Sequence, residues 1–163
     1  LLREILKGIR NEVSTQFIVG IKINGIDGVE NGLELSDSIE VLKGLPNRDL
    51  DFIEVSGGIA EARNCTVKGR VVPYQDEGYF RYLSKAIKSS VSVPVASVGG
   101  YRSLDVMEDT LQKGDADLIS LCRPFIREPD LIRQFKAGTL KHSQCVSCSR
   151  CMSPRGLSCW QLK

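Results

Sequence analysis

The spacing of apolar residues along this chain switches repeatedly between helix-like and strand-like. Residues 1–13 place Leu2, Ile5, Leu6, Ile9 and Val13 at helical intervals. FIVGIKI (17–23) is an apolar run of strand length, and the glycine-rich loop NGIDGVENG follows it. ELSDSIEVLKGL returns to helical spacing and stops at Pro46. DFIEVSGG (51–58) predicts a second strand that ends in glycines. After a long polar loop, residues 76–91 put apolar side chains at 79, 80, 83 and 87, which predicts another helix. PVASVGG predicts a third strand, and SLDVMEDTLQKG a helix capped by Ser103 and closed by Gly114. DLISL predicts a fourth strand, and EPDLIRQFKAG a last helix with Pro129 early in its first turn.

The strand runs are nearly all apolar, as expected of parallel strands buried on both faces. Repeated βα units point to an α/β protein with a parallel sheet. Two architectures compete, an open doubly wound sheet and a (β/α)8 barrel. A full barrel needs about 250 residues, and four strands make half of one. Composition shifts near residue 141, which divides the chain into a βα body, 1–140, and a Cys-rich tail, 141–163.

Charge and length exclude several classes. The 163 residues carry a net charge of +2 with no basic stripe, which argues against a nucleic-acid partner. No apolar run approaches the ~20 residues of a membrane helix, and LLREILKGIR is too charged for a signal peptide. A cytoplasmic protein is the expectation. Six cysteines are placed unevenly: Cys65 and Cys122 stand alone, while Cys145, Cys148, Cys151 and Cys159 crowd the tail. That crowding suggests metal chemistry in a reducing compartment over a disulfide framework. The tail spacing, C-x2-C-x2-C-x7-C, admits an iron–sulfur cluster, a zinc site or free thiols. Cys65, in a polar loop, reads as an incidental thiol.

Candidate chemistry sits at the strand ends. Gly99 and Gly100 close the third strand, and Cys122 and Arg123 follow the fourth. Bare backbone there can approach a phosphate, and a guanidinium can clamp it. A Gly-Gly pair also serves as a plain tight turn, and a loop arginine is often only a solvated charge. Their occurrence at successive strand ends favours the phosphate reading. Lys22 interrupts an apolar strand near its end. It either snorkels to solvent or stands as a fixed cation facing negative charge on a ligand. Asp27, Asp49 and Asp51 read as loop or strand-entry residues. The single histidine, His142, lies past the last helix and reads as a surface or tail residue, so no Ser/His/Asp arrangement is available.

The stretches FIVGIKING, LDFIEVSGG and PVASVGGYRS, with GDADLISLCRPFIREPDLI as the most specific piece, resemble the C-terminal half of the old yellow enzyme family. The similarity is greatest to its 2,4-dienoyl-CoA reductase-like branch. The resemblance implies an FMN-dependent NAD(P)H oxidoreductase on a (β/α)8 barrel, passing a hydride through the flavin to an activated alkene or enoyl thioester. It matches Lys22 to the basic residue under the flavin pyrimidine, and Gly99, Gly100, Cys122 and Arg123 to the phosphate-binding positions. Cys122 departs from the family's usual small residue. The branch carries a [4Fe–4S] cluster after the barrel, with one more residue between the second and third cysteines and a longer gap to the fourth. The substrate-gripping pair and the proton-donating tyrosine belong to strands that have no counterpart here, so no catalytic residue is expected in this chain. The implied partners are NAD(P)H, an unsaturated carbonyl or thioester, and the N-terminal half of a barrel or a second copy. The alternative is a non-catalytic half-barrel or metal-binding module that self-associates or docks on a missing half.

Overall fold

The computed structural model describes residues 1–62, 67–153 and 156–162, so Cys65 lies outside the described residues. Helix α1 (Leu2–Glu12) leads into a parallel sheet of order β1-β2-β3-β4: β1 (Gly20–Asn24), β2 (Phe52–Ser56), β3 (Val95–Ser97) and β4 (Leu118–Ile119). Helix α2 (Leu35–Lys43) joins β1 to β2, α3 (Arg81–Lys88) joins β2 to β3, and α4 (Leu104–Gln112) joins β3 to β4. Two short helices, α5 (Arg123–Arg127) and α6 (Leu131–Lys136), follow β4. No described helix is long and apolar enough to cross a membrane.

One core lies between the sheet and its helices. Leu6, Leu42, Leu83 and Ile87 from the helices bury Ile53, Val55 and Val95. A second, smaller core gathers Tyr101, Met107, Leu131 and Phe135. β3 is buried throughout, as expected of burial on both faces, but β1 and β2 leave one face more open. In β2, Ile53 and Val55 are buried while Phe52, Glu54 and Ser56 are only partly covered. In register with them on β1 are Gly20, Lys22 and Asn24. The apolar look of the runs came from the covered face plus Phe52 and Leu118, which belong to the other face; Leu118 is 49% exposed. Parallel sheets are ordinarily covered on both sides.

Local chemistry explains the shifted boundaries. β1 begins three residues late because the Asp51 carboxylate takes the Val19 N–H (2.7 Å), leaving Phe17 and Ile18 exposed. α3 begins at Arg81 because Gly78 sits at φ +67 and the Tyr79 N–H donates to the Gly99 carbonyl (3.1 Å). Ser103 does occupy the N-cap of α4, but its hydroxyl donates to Glu77 (2.7 Å) and makes no side-chain cap. The buried Glu77 carboxylate also accepts the N–H groups of Arg102 and Ser103, both at 2.8 Å. It thereby satisfies helix-end donors that would otherwise be orphaned. Pro129 lies ahead of α6, whose N-cap is Asp130. The tail is knitted to the body: Ser143 N–H donates to the Arg102 carbonyl (2.8 Å), and the exposed His142 bridges to Ser103.

Candidate functional site

A cavity of about 260 Å³ opens at the carboxyl ends of all four strands. Parallel α/β proteins bind their ligands at that end, because loops there diverge from a rigid sheet. Lys22 comes from β1, Gly57 and Gly58 follow β2, Gly99 and Gly100 follow β3, and Cys122 and Arg123 follow β4. All five residues read from the sequence as cofactor-binding therefore line one space.

The glycine pair answers to the chain's own packing. Gly99 (φ +136) and Gly100 (φ +76) both lie in left-handed backbone that side chains avoid. A Cβ on Gly99 would stand 2.9 Å from the Phe80 backbone nitrogen, and one on Gly100 would stand 2.7 Å from the Tyr79 ring. The turn into α3 presses against both glycines and leaves their other side to the cavity.

Arg123 is buried, and its Nη1 donates to the carbonyls of Lys68 (2.8 Å) and Ser147 (3.2 Å) and to Ser149 Oγ (3.0 Å). Arg102, absent from the sequence reading, is a second buried guanidinium on the cavity wall. Its Nη1 donates to the Cys145 carbonyl, and its buried Nε has no partner. Every one of these acceptors is neutral. Among the described residues, no ion pair includes either arginine. Two buried cations with no carboxylate partner are costly unless an anion joins them. The sequence signal for Arg102 was its place two residues after Gly100.

Lys22 behaves differently. Its ammonium pairs with Glu54, the register neighbour on β2, and Glu54 also accepts Ser120 Oγ (2.7 Å). Burial pushes the Glu54 carboxyl up, but the Lys22 and Ser120 hydrogen bonds and the ammonium charge together hold it below its usual value. Cys122 is exposed, and its carbonyl accepts Ile126 N–H (3.2 Å). Asp27 and Asp51 are engaged with the N–H groups of Leu33 (3.0 Å) and Val19, which are structural tasks.

The tail cysteines lie in unlike settings. Cys145 and Cys151 are buried, Cys148 is exposed, and Cys159 accepts Arg127 Nη1 at 3.6 Å. Burial pushes the Cys151 thiol up and a backbone hydrogen bond opposes it; nearby Cys145 and Cys148 add to the rise, against Arg123. Among the described residues, no three His, Cys, Asp or Glu side chains form a metal-binding group.

Sheet order and cavity together define a βα-repeat protein of the barrel type, with its open site at the strand carboxyl ends. The chain belongs to the NADH:flavin oxidoreductase / NADH oxidase family, whose model matches residues 1–142. It is 36% identical over 137 residues to the NADH-dependent flavin oxidoreductase iliE of Neonectria sp. (strain DH2), covering 77% of this chain and 18% of that protein. A solved 2-naphthoyl-CoA reductase, in complex with 2-naphthoyl-CoA, is 25% identical with a TM-score of 0.73, over 93% of this chain and 22% of that one. The old yellow enzyme homologue of Zymomonas mobilis shares the fold at 19% identity and a TM-score of 0.63, over 96% and 41%. This chain therefore spans 18% to 41% of those proteins, and its four βα units are part of a (β/α)8 barrel.

Proposed function

We propose that this chain is the phosphate-anchoring half of an FMN-dependent NAD(P)H oxidoreductase of ene-reductase type. The observation that carries the reading is the pair of buried guanidiniums, Arg102 and Arg123, beside the Gly99–Gly100 turn on one cavity wall. Their charge, unopposed by any described carboxylate, suits a phosphate monoester, and Arg123 offers the charge-assisted contact. The cavity is smaller than the ~300–1,000 Å³ of ordinary ligand pockets, so it suits the anionic end of a larger molecule. The remainder of that molecule would run toward Lys22 at the end of β1. When bound, FMN supplies hydride transfer from NAD(P)H to an activated alkene such as an unsaturated carbonyl or enoyl thioester. The chain's own part is to hold the phosphate, present a cation near the pyrimidine edge, and exclude water from the clamp. Substrate-gripping groups and the proton donor belong to the rest of the barrel.

Flavin titration tests the reading. The protein completed by the rest of its barrel should bind FMN and turn yellow. Arg123→Ala should weaken binding by about 1.5–3 kcal/mol, the scale of a charged hydrogen bond. A colourless protein, or an unchanged affinity in Arg123→Ala, overturns it. The rival reading, a non-catalytic half-barrel that associates with another chain, draws support from the uncovered sheet face and is favoured by the colourless outcome. An iron–sulfur or zinc centre on Cys145, Cys148, Cys151 and Cys159 is a separate proposal. Iron, acid-labile sulfide and zinc measured on anaerobically purified protein decide it.

A further inference from the structure

The uncovered face of the sheet carries a short polar chain that spans the sheet from β1 to beyond β4. Glu54 stands on β2, in register with Lys22 on β1 and with Ala96 on β3, and Ala96 is in register with Leu118 on β4. One carboxylate oxygen holds the Lys22 ammonium, and the other accepts Ser120 Oγ at 2.7 Å. The reach across β3 passes over the single methyl of Ala96, where a larger side chain would stand in the way. Glu54 is 21% exposed while Lys22 is 60% exposed. The carboxylate is the fixed member of the pair and the ammonium the movable one. A lysine on a flexible four-carbon stem, left to itself, turns to solvent.

We propose that Glu54 is a positioning residue for Lys22. The Lys22–Glu54–Ser120 chain sets where the ammonium sits and how much of its charge reaches a bound flavin. This inference rests on the proposed function for its consequence, and on the side-chain geometry for its cause. Glutamine at position 54 keeps an acceptor oxygen that holds the ammonium in place but loses the negative charge that offsets its field, so Glu54→Gln strengthens the cation's effect on a ligand whose reduced form is anionic. A hydrogen bond to a neutral amide is weaker than the ion pair it replaces, so the Lys22 nitrogen is also released to solvent more often.

Two readouts test it. In the flavin-loaded holoprotein, Glu54→Gln should raise the affinity ratio for reduced over oxidised FMN about five- to tenfold, of the order of one pKa-sized interaction. Lys22→Met should lower that ratio, Ser120→Ala should shift it less than Glu54→Gln, and Glu54→Asp should restore part of the native value. In flavin-free protein, where the weaker hydrogen bond frees the Lys22 nitrogen, acetic anhydride should label Lys22 about fivefold faster in Glu54→Gln, against exposed Lys43 and Lys136 as internal references. Circular dichroism checks that each variant folds. If Lys22→Met shifts the ratio and Glu54→Gln does not, this inference falls alone. If Lys22→Met leaves the ratio unchanged, the proposed placement of Lys22 falls and this inference with it. A protein that takes up no flavin overturns the proposed function, and labelling then decides by itself: a raised Lys22 rate upholds the positioning role, and an unchanged rate ends it.

Discussion

At the scale of single residues, Gly99 carries two obligations that substitution separates. Its φ of +136 strains any side chain, and a Cβ would meet the Phe80 backbone nitrogen, which cannot swing aside as a flexible side chain can. Gly99→Ala should therefore cost about 1–3 kcal/mol from backbone strain, plus a further penalty from that contact. Gly138 (φ +70), with nothing within 4 Å of its Cβ position, shows the cost of the milder left-handed well with no contact added. Urea unfolding of Gly99→Ala and Gly138→Ala reads the difference, and equal losses would show that neither the Phe80 contact nor the φ of +136 adds a cost at Gly99. A Gly99→Ala protein of native stability but weaker FMN binding would return the glycine to a purely ligand-driven role. Sequence reasoning found the position and attributed it to a ligand, because Tyr79 and Phe80, which press on it, read as ordinary positions of a predicted helix and nothing in the linear pattern brings that helix start onto the turn after β3. Glu54 was missed for a similar reason. Its partners lie 32 and 66 residues away, and in the linear sequence it is one more charge in a strand.

At the scale of elements, α3 is locked to the α4–β4 connection by Arg81. Its Nε donates to Asp115 (2.6 Å), and its Nη1 donates to Asp109 (2.7 Å). Lys88 donates to Asp117 (2.6 Å), whose other oxygen accepts Val95 N–H at the start of β3. Burial pushes the Asp115 carboxyl up, but Arg81 and Lys85 more than reverse it; for Asp117, Lys88 and the Val95 N–H do the same. Both therefore titrate below the ordinary carboxylate range when folded. Groups with a depressed folded pKa contribute stability that is present above their unfolded value, about 3.9, and disappears as pH falls through the lower folded values. Urea unfolding should show a stability loss below about pH 4. Arg81→Gln should lower stability at pH 7 and flatten that acid limb, so that the variant and native curves converge as pH falls through the depressed folded values. Parallel curves across that range would mean that Arg81 acts through packing alone. Helix and strand order were legible from periodicity because α2, α3 and α4 each present one apolar face to the sheet. The five-residue α5 was not, since Pro124 and a single turn leave no period to read.

At the scale of the whole molecule, the uncovered sheet face decides behaviour in solution. β1 and β4 are the edges of the sheet, and each offers unpaired backbone along one side. Between them the open face carries the Phe52 ring laid against Gly20, half-exposed Leu118, and the Lys22–Glu54–Ser120 chain. The partial match to barrel proteins, and with it open edges and an exposed sheet face, was legible from the count of four βα units, while the polar make-up of that face was not, since apolar strand runs look alike whether one face or two are covered. Such edges and apolar surface favour pairing with a further chain, and the solved relatives, of which this chain spans 22% and 41%, indicate the rest of a barrel as the natural cover. The 163-residue chain by itself should therefore be a dimer or larger, and should bind FMN more weakly than the protein completed by the remaining strands. Leu118→Lys, which places a charge on that face, should shift the isolated chain toward monomer while leaving the helix-side core untouched. Sedimentation at several concentrations with flavin titration alongside reads both parts. A concentration-independent monomer that binds FMN as tightly as the completed protein would mean that the four-stranded unit is self-sufficient, and that its open face needs no cover.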